Sequence, residues 1–365
     1  MSRKLKSLLG LAASSMLLAA CQGQDAGENP DQDQAQNQEQ DQGQEGGGDQ
    51  ASGDFSIAMV TDEGGVDDRS FNQSAWEGMQ EWSDETGNES TYFQSDDTSD
   101  FVPNLNQAIQ GGYDIVYGIG FMLRDSIEEI AQQNEDQYFG IVDDEVDLDN
   151  VVSLNFGDHE ASFLAGVAAA LTTETGQVGF IGGIESPIID RFETGFLAGV
   201  EHVDDTIEVD VQYAESFGDA AQAQQIANGM YSSGADIIFH AAGAAGNGLF
   251  TEARNRMEDV SDTQLWVIGV DRDQEAEGEW SGGNLTLTST IKEVGNAIVS
   301  SVEQTQSEGF PGGENIQYGL ANDGVDIVEG NMEADVWEEV QNVRQQILDG
   351  EIEVPEFSQE WDSEE

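Results

Sequence analysis

Four of the five acids in the stretch "VTDEGGVDDRSFNQSAWEGM", residues 60–79, crowd its first half: Asp62, Glu63, Asp67 and Asp68, with Ser70, Phe71 and Asn72 close behind. Clustered carboxylates can ligate a divalent cation, shuttle protons, or accept hydrogen bonds from an uncharged ligand. An aromatic beside them adds a flat stacking face. Further polar or glycine-rich turns and a lone lysine follow at "FGIVDD" (Asp143), "AAGAAGNG" (Gly243 and Gly246), "VIGVDRDQ" (Asp271) and "STIKEV" (Lys292). Lys292 stands out by rarity, since the other lysines are Lys4 and Lys6.

Composition tempers the acids. The chain has 74 Asp+Glu against 11 Lys+Arg, a formal charge of −63 and a pI near 4.1. A single Asp therefore carries little information. There is no basic stripe to release counterions from a phosphate backbone, which argues against nucleic acid and against anionic lipid as partners. Such a surface suits a protein that stays soluble at high salt, and a salt-loving host is the natural reading.

The elements that must position these residues come next. Arg3, Lys4 and Lys6 precede the apolar run Leu8–Ala20, which is too short to span a bilayer as a permanent helix and reads as a secretory signal. Its end, Leu18-Ala19-Ala20-Cys21, resembles a bacterial lipobox, so signal peptide 1–20 would be removed and Cys21 lipidated. Cys21 is the only cysteine, which leaves no intrachain disulfide. Residues 21–53, almost wholly Gln, Asp, Glu, Asn and Gly, cannot offset the entropy of ordering and are expected to form an acidic tether.

From residue 54 onward short apolar strands alternate with helical patterns. Strands are expected near Phe55–Val60, Ile115–Gly118, Tyr138–Val142, Val151–Asn155, Gln177–Ile181, Val209–Tyr213, Ile237–His240, Leu265–Val270 and Leu285–Thr288. Helical periodicity between them includes Asn72–Glu85, His159–Thr172, Ile189–His202 and Ile291–Ser307. This is the α/β pattern of parallel sheets with helices on both faces, and the length favours two lobes. Ligands of such sheets gather beyond the carboxyl ends of strands. That rule alone selects Thr61–Phe71, Asp143–Asp144, Ala241–Gly248 and Asp271–Gln274.

"AMVTDEGGVDDRSFNQSAWEGM", "FGIVDD", "IGGIESPIIDRFETGFLAGV", "IIFHAAGAAGNG", "VIGVDRDQ" and "LTSTIKEVGNAI" together resemble, in order and across the folded region, the motifs of the basic membrane protein family of substrate-binding lipoproteins, of the purine nucleoside receptor A type. The resemblance implies a type I periplasmic-binding-protein fold: two Rossmann-like lobes, a hinge, and a ligand cleft between them. Expected extents are 54–156 with 272–320 for the N-terminal lobe, 157–271 with 321–357 for the C-terminal lobe, and an acidic tail at 358–365. It also implies a non-enzymatic, monomeric component of an ABC importer, anchored on the outer face of the cell membrane, with permease and ATPase partners and no cofactor or metal.

Carried over motif by motif, Phe71 and Phe217 would stack on the two faces of a purine. Asp62, Asp143 and Asp271 would accept from ribose hydroxyls or base N–H groups. Lys292 would donate, with Ser70, Asn72 and the Gly243–Gly246 turn completing the set. Other roles stand beside these: core packing for the two phenylalanines, a structural ion pair for Lys292, and a turn-plus-cap role for Asp67 and Asp68 before the helix. Arg69 stands where many relatives have Lys.

Rival chemistries fit less well. The spacing Asp62 to Asp67 differs from the calcium-holding cluster of nucleoside hydrolases, the main enzymatic alternative. "DDEVDLDN" lacks the central Gly and final Glu of an EF-hand loop, and "GAAGNG" lacks the Gly-Lys-Ser/Thr of a phosphate loop. His159, His202 and His240 show no metal spacing. A ligand-sensing lipoprotein of the same fold remains the alternative to transport.

Overall fold

The computed structural model describes residues 55–259 and 263–358. The expected signal peptide, Cys21, the acidic tether and residues 359–365 lie outside the described residues.

The first sheet uses β1 (Ser56–Val60), β2 (Glu89–Phe93), β3 (Ile115–Ile119), β4 (Tyr138–Val142) and β5 (Val151–Phe156). The second uses β6 (Gln177–Gly182), β7 (Glu208–Tyr213), β8 (Ile237–Ala241) and β9 (Trp266–Gly269). A small antiparallel hairpin, β10 (Glu279–Trp280) with β11 (Gly283–Asn284), precedes β12 (Thr286–Lys292). Two late strands, β13 (Asn315–Tyr318) and β14 (Val325–Ile327), complete the set. The strand orders are β13-β5-β4-β3-β1-β2 and β14-β12-β9-β8-β6-β7, and every pair is parallel except the β12–β14 edge.

Helices cover both faces of each sheet. They are α1 (Phe71–Thr86), α2 (Phe101–Gly111), α3 (Arg124–Gln133), α4 (Asp158–Thr172), α5 (Pro187–Val203), α6 (Ala220–Ser233), α7 (Asn247–Glu258), α8 (Val294–Ser307) and α9 (Ala334–Leu348). Burial on both faces of the pleat explains why β1 is apolar at every position from Ile57 to Val60. Ile57 and Met59 join Met79 and Ile298 on one face, while Ala58 and Val60 join Leu105 and Ile127 on the other. In the second lobe α4 and α5 touch backbone to backbone: a Cβ on Gly199 would stand 2.0 Å from the Phe163 carbonyl oxygen, so only glycine admits that approach.

The chain crosses between the lobes at Phe156–Asp158, at Lys292–Val294 and between β13 and β14. The second crossing differs from the expected boundary. Residues 272–320 were expected together in the first lobe, yet β12 pairs with β9 in the second sheet, and the chain returns only with α8, which packs on α1. Lys292 therefore sits at the hinge itself.

Both sheets reverse their strand order at one place, β1/β3 in the first and β6/β8 in the second. These switch points open crevices at the carboxyl ends of the strands, and the two crevices face one another.

Candidate functional site

The cleft between the lobes is lined from those strand ends. Asp62 follows β1, Gly120 and Phe121 follow β3, Asp143 follows β4, Ala241 and Gly243 close β8, and Val270 and Asp271 follow β9. Phe71 from the start of α1, Ile188, Ile189 and Phe192 from α5, Phe217 from the loop before α6, and Lys292 complete the wall.

The acidic turn after β1 is built from the inside. Asp68 accepts from the backbone N–H groups of Ser70 (2.9 Å), Asn72 (2.8 Å) and Gln73 (3.0 Å), so its carboxylate satisfies the orphan donors at the start of α1. Asn72 Nδ2 then bridges Asp62 (2.7 Å) and Asp68 (2.9 Å), while its Oδ1 accepts from Asp62 N–H (3.2 Å). Asp62 also accepts from Gly64 N–H at 2.8 Å. Burial, reinforced by the Asp68 charge, pushes the Asp62 carboxyl up to about 7.

Lys292 is the cation of the site. Its Nζ donates to Asp143 at 2.7 Å and lies 3.1 Å from Asp158, with all three side chains buried. The rings of Phe156, Phe71 and Phe192 stand 4.9, 5.2 and 5.6 Å from the ammonium, close enough for cation–π attraction. Burial alone would lower its pKa, but Asp143, Asp158 and Asp271 outweigh that and hold it above the usual lysine value. Burial raises the carboxyls of Asp158 and Asp271 in turn, Asp271 to about 7, against the opposing pull of Lys292.

The lobes meet around the same turn. Ser70 Oγ donates to Asp271, Gln274 Nε2 to the Arg69 carbonyl at 2.8 Å, and Asn247 Nδ2 to the Asp68 carbonyl at 3.1 Å. Gln274 Oε1 faces His240 Nε2 at 3.0 Å, and burial drops that imidazole to about 4, leaving it neutral. With its donors and acceptors placed this way the cleft is a chamber of acceptors, one cationic donor and several rings.

A family profile described as "Bmp: ABC transporter substrate-binding protein PnrA-like" matches residues 55–358, essentially the whole described chain. The chain belongs to the Bmp family of ABC transporter substrate-binding proteins. A relative described as the ABC transporter nucleoside-binding protein BmpA of Lactococcus lactis is 42% identical over 355 residues, covering 94% of this chain and 96% of that one. The CD4+ T-cell-stimulating antigen of Listeria innocua is 50% identical over 323 residues, 85% of this chain and 90% of the other. Among solved structures, an ABC transporter solute-binding protein from Aeropyrum pernix superposes with a TM-score of 0.74 at 23% identity, covering 85% of this chain and 96% of that chain, a likeness of fold.

Within this Bmp chain, seven of the ten residues singled out from sequence line one cavity: Asp62, Phe71, Asp143, Phe217, Gly243, Asp271 and Lys292. Ser70 and Asn72 stand one layer back, bonded to lining carboxylates. Gly246 lies elsewhere, against the His240 ring, where a Cβ would come within 2.1 Å. Asp68 combines the cap with a place in the lining, and Asp67 is exposed.

Sequence reasoning missed Asp158, Phe121 and Phe192. Phe121 obeys the same strand-end rule that found Asp62. Asp158 looked like an ordinary acid before a helix, and its burial against Lys292 had no local signal.

Proposed function

We propose that the cleft binds a purine nucleoside between the rings of Phe71 and Phe217 and that the protein delivers it to an ABC permease. The observation that carries this reading is the convergence of two phenylalanines from opposite lobes on one chamber ringed by Asp62, Asp143, Asp271 and Lys292. A heteroaromatic base offers two faces for stacking, each such contact adding about 0.5–1.5 kcal/mol beyond area burial. Carboxylates accept from ribose hydroxyls and base N–H groups, and the ammonium donates to a sugar oxygen or ring nitrogen. The nucleoside-binding relative from Lactococcus lactis supports the same ligand class.

The action is binding, closure and release, with no chemical step. The protein works outside the cytoplasmic membrane as a monomer, held by a lipid on Cys21 and tethered by residues 21–53, with the permease and its ATPase as partners. Among the described residues no helix is long and apolar enough to cross a membrane. Calorimetry with inosine, guanosine, adenosine, cytidine and ribose at molar salt tests the reading. Heat from the purine nucleosides but not from ribose is expected, and silence with every nucleoside would overturn it. Release of free base during the titration would point to hydrolysis instead.

A further inference from the structure

Phe217 is held from both lobes. Its carbonyl accepts from Ala245 N–H at 2.8 Å, within its own lobe. Its N–H donates to Glu63 Oε1 at 2.9 Å, across the cleft, and the same oxygen accepts from Ser216 Oγ at 2.9 Å. Glu215, two residues before Phe217, sits at φ 57°, an uncommon conformation for a residue other than glycine. The Phe217 loop is thus anchored at one peptide group by its own lobe and at the next by a carboxylate that is within reach only while the lobes are shut.

We infer that Glu63 is a closure-dependent positioning residue: it fixes the Phe217 loop of the opposite lobe at the moment of closing, so that the second wall of the chamber is completed by closure itself. The inference rests on the proposed stacking role of Phe217. When the lobes part, the Ser216 hydroxyl and the Phe217 N–H lose Glu63 to water, and the loop keeps the bonds of its own lobe, Ala245 N–H to the Phe217 carbonyl and Ala214 N–H to the Gly182 carbonyl. Glu63 acts between lobes, so removing it should change how long the closed state lasts and leave the stability of each lobe alone.

The test compares Glu63→Ala, Glu63→Gln and wild type by stopped-flow release of inosine and by thermal melting without ligand. Hydrogen bonds to a charged group are the strong ones, so Glu63→Ala is expected to release inosine about 10-fold faster or more. Glu63→Gln, which keeps an acceptor oxygen but not the charge, should fall between Glu63→Ala and wild type. The ligand-free midpoint of Glu63→Ala should stay within about 2 °C of wild type. An unchanged release rate overturns the inference, and so does a drop in the ligand-free midpoint, which would mark an ordinary structural role. If wild type binds no nucleoside, the ligand reading fails separately, and small-angle scattering still decides the latch. A larger radius of gyration for Glu63→Ala supports it, and identical curves overturn it.

Discussion

Asp143 and Asp271 occupy the same backbone conformation just past a parallel strand in opposite lobes, φ 66° and φ 68°. Left-handed backbone is uncommon outside glycine, and aspartate tolerates it better than most residues. Both side chains line the cleft and both bear on Lys292. Arg69 and Glu215, at φ 62° and 57°, flank the same cleft. Strained backbone gathers where geometry is held for function, and here it turns two carboxylates toward one ammonium.

Replacing that ammonium should therefore be severe. Lys292→Met leaves Asp143, Asp158 and Asp271 buried beside one another without a counter-charge, and breaking a buried pair costs about 3–5 kcal/mol. Burial already raises the Asp158 and Asp271 carboxyls, and Lys292 opposes it. Without Lys292 these two would take up protons more readily in the folded state than in the unfolded one, and the deficit should shrink on going from pH 8 to pH 5. Denaturant titrations at the two values measure it. A deficit independent of pH would mean that the carboxylates are not what Lys292 balances.

Asp62 gives a pH signature of its own. Its folded carboxyl titrates at about 7, above the ordinary value of 3.8. Between those values the folded state binds more protons than the unfolded state, so the contribution is fully present at low pH and is lost as pH rises through about 7. Asp62→Asn mimics the protonated form. The variant should gain on wild type as pH climbs from 5 to 8, and thermal midpoints of the two proteins at fixed salt would show it. Parallel pH profiles would contradict the raised carboxyl.

Gly183 controls the room available to Phe217. A Cβ at Gly183 would stand 2.2 Å from one ring carbon and 2.4 Å from the next. Gly183→Ala must displace the ring, and overpacking of this kind costs about 1–3 kcal/mol. It should weaken inosine binding in the wild-type background and do nothing further in Phe217→Ala. A double-mutant cycle by calorimetry reads the coupling, and additive effects would show that the ring is not what the glycine accommodates.

The sequence made some of this legible and hid the rest for physical reasons. The strand-end rule located Asp62, Asp143 and Asp271 because β1, β4 and β9 are buried and read as apolar runs. Lys292 was visible through rarity, and its two readings coexist, since it pairs with Asp143 and also lines the chamber. By contrast β2, "ESTYF", is a polar edge strand, and β13 and β14 are too short to show a period. Which sheet takes β12 is decided by pairing with a strand distant in sequence, and no local pattern records it. The same holds for Asp158, whose partner lies on another crossing.

The surplus of acids makes a final prediction about salt. The cations of the described chain are largely committed to particular partners: Arg124 to Asp125 and Glu128, Arg191 to Glu356, Arg256 to Glu252, Arg272 to Glu77, Arg344 to Asp326, and Lys292 to Asp143 and Asp158. With a formal charge of −63 the remaining carboxylates repel one another with little protein counter-charge to spare. Screening must come from solution, and its reach falls from about 10 Å at 0.1 M salt to about 3 Å at 1 M. Exposed ion pairs weaken over the same range, but each is worth only about 0–1 kcal/mol. Relief of the general repulsion should win, and the thermal midpoint in KCl should rise by several degrees between these two concentrations. A flat or falling midpoint would mean that the acids are spread widely enough for water alone to shield them.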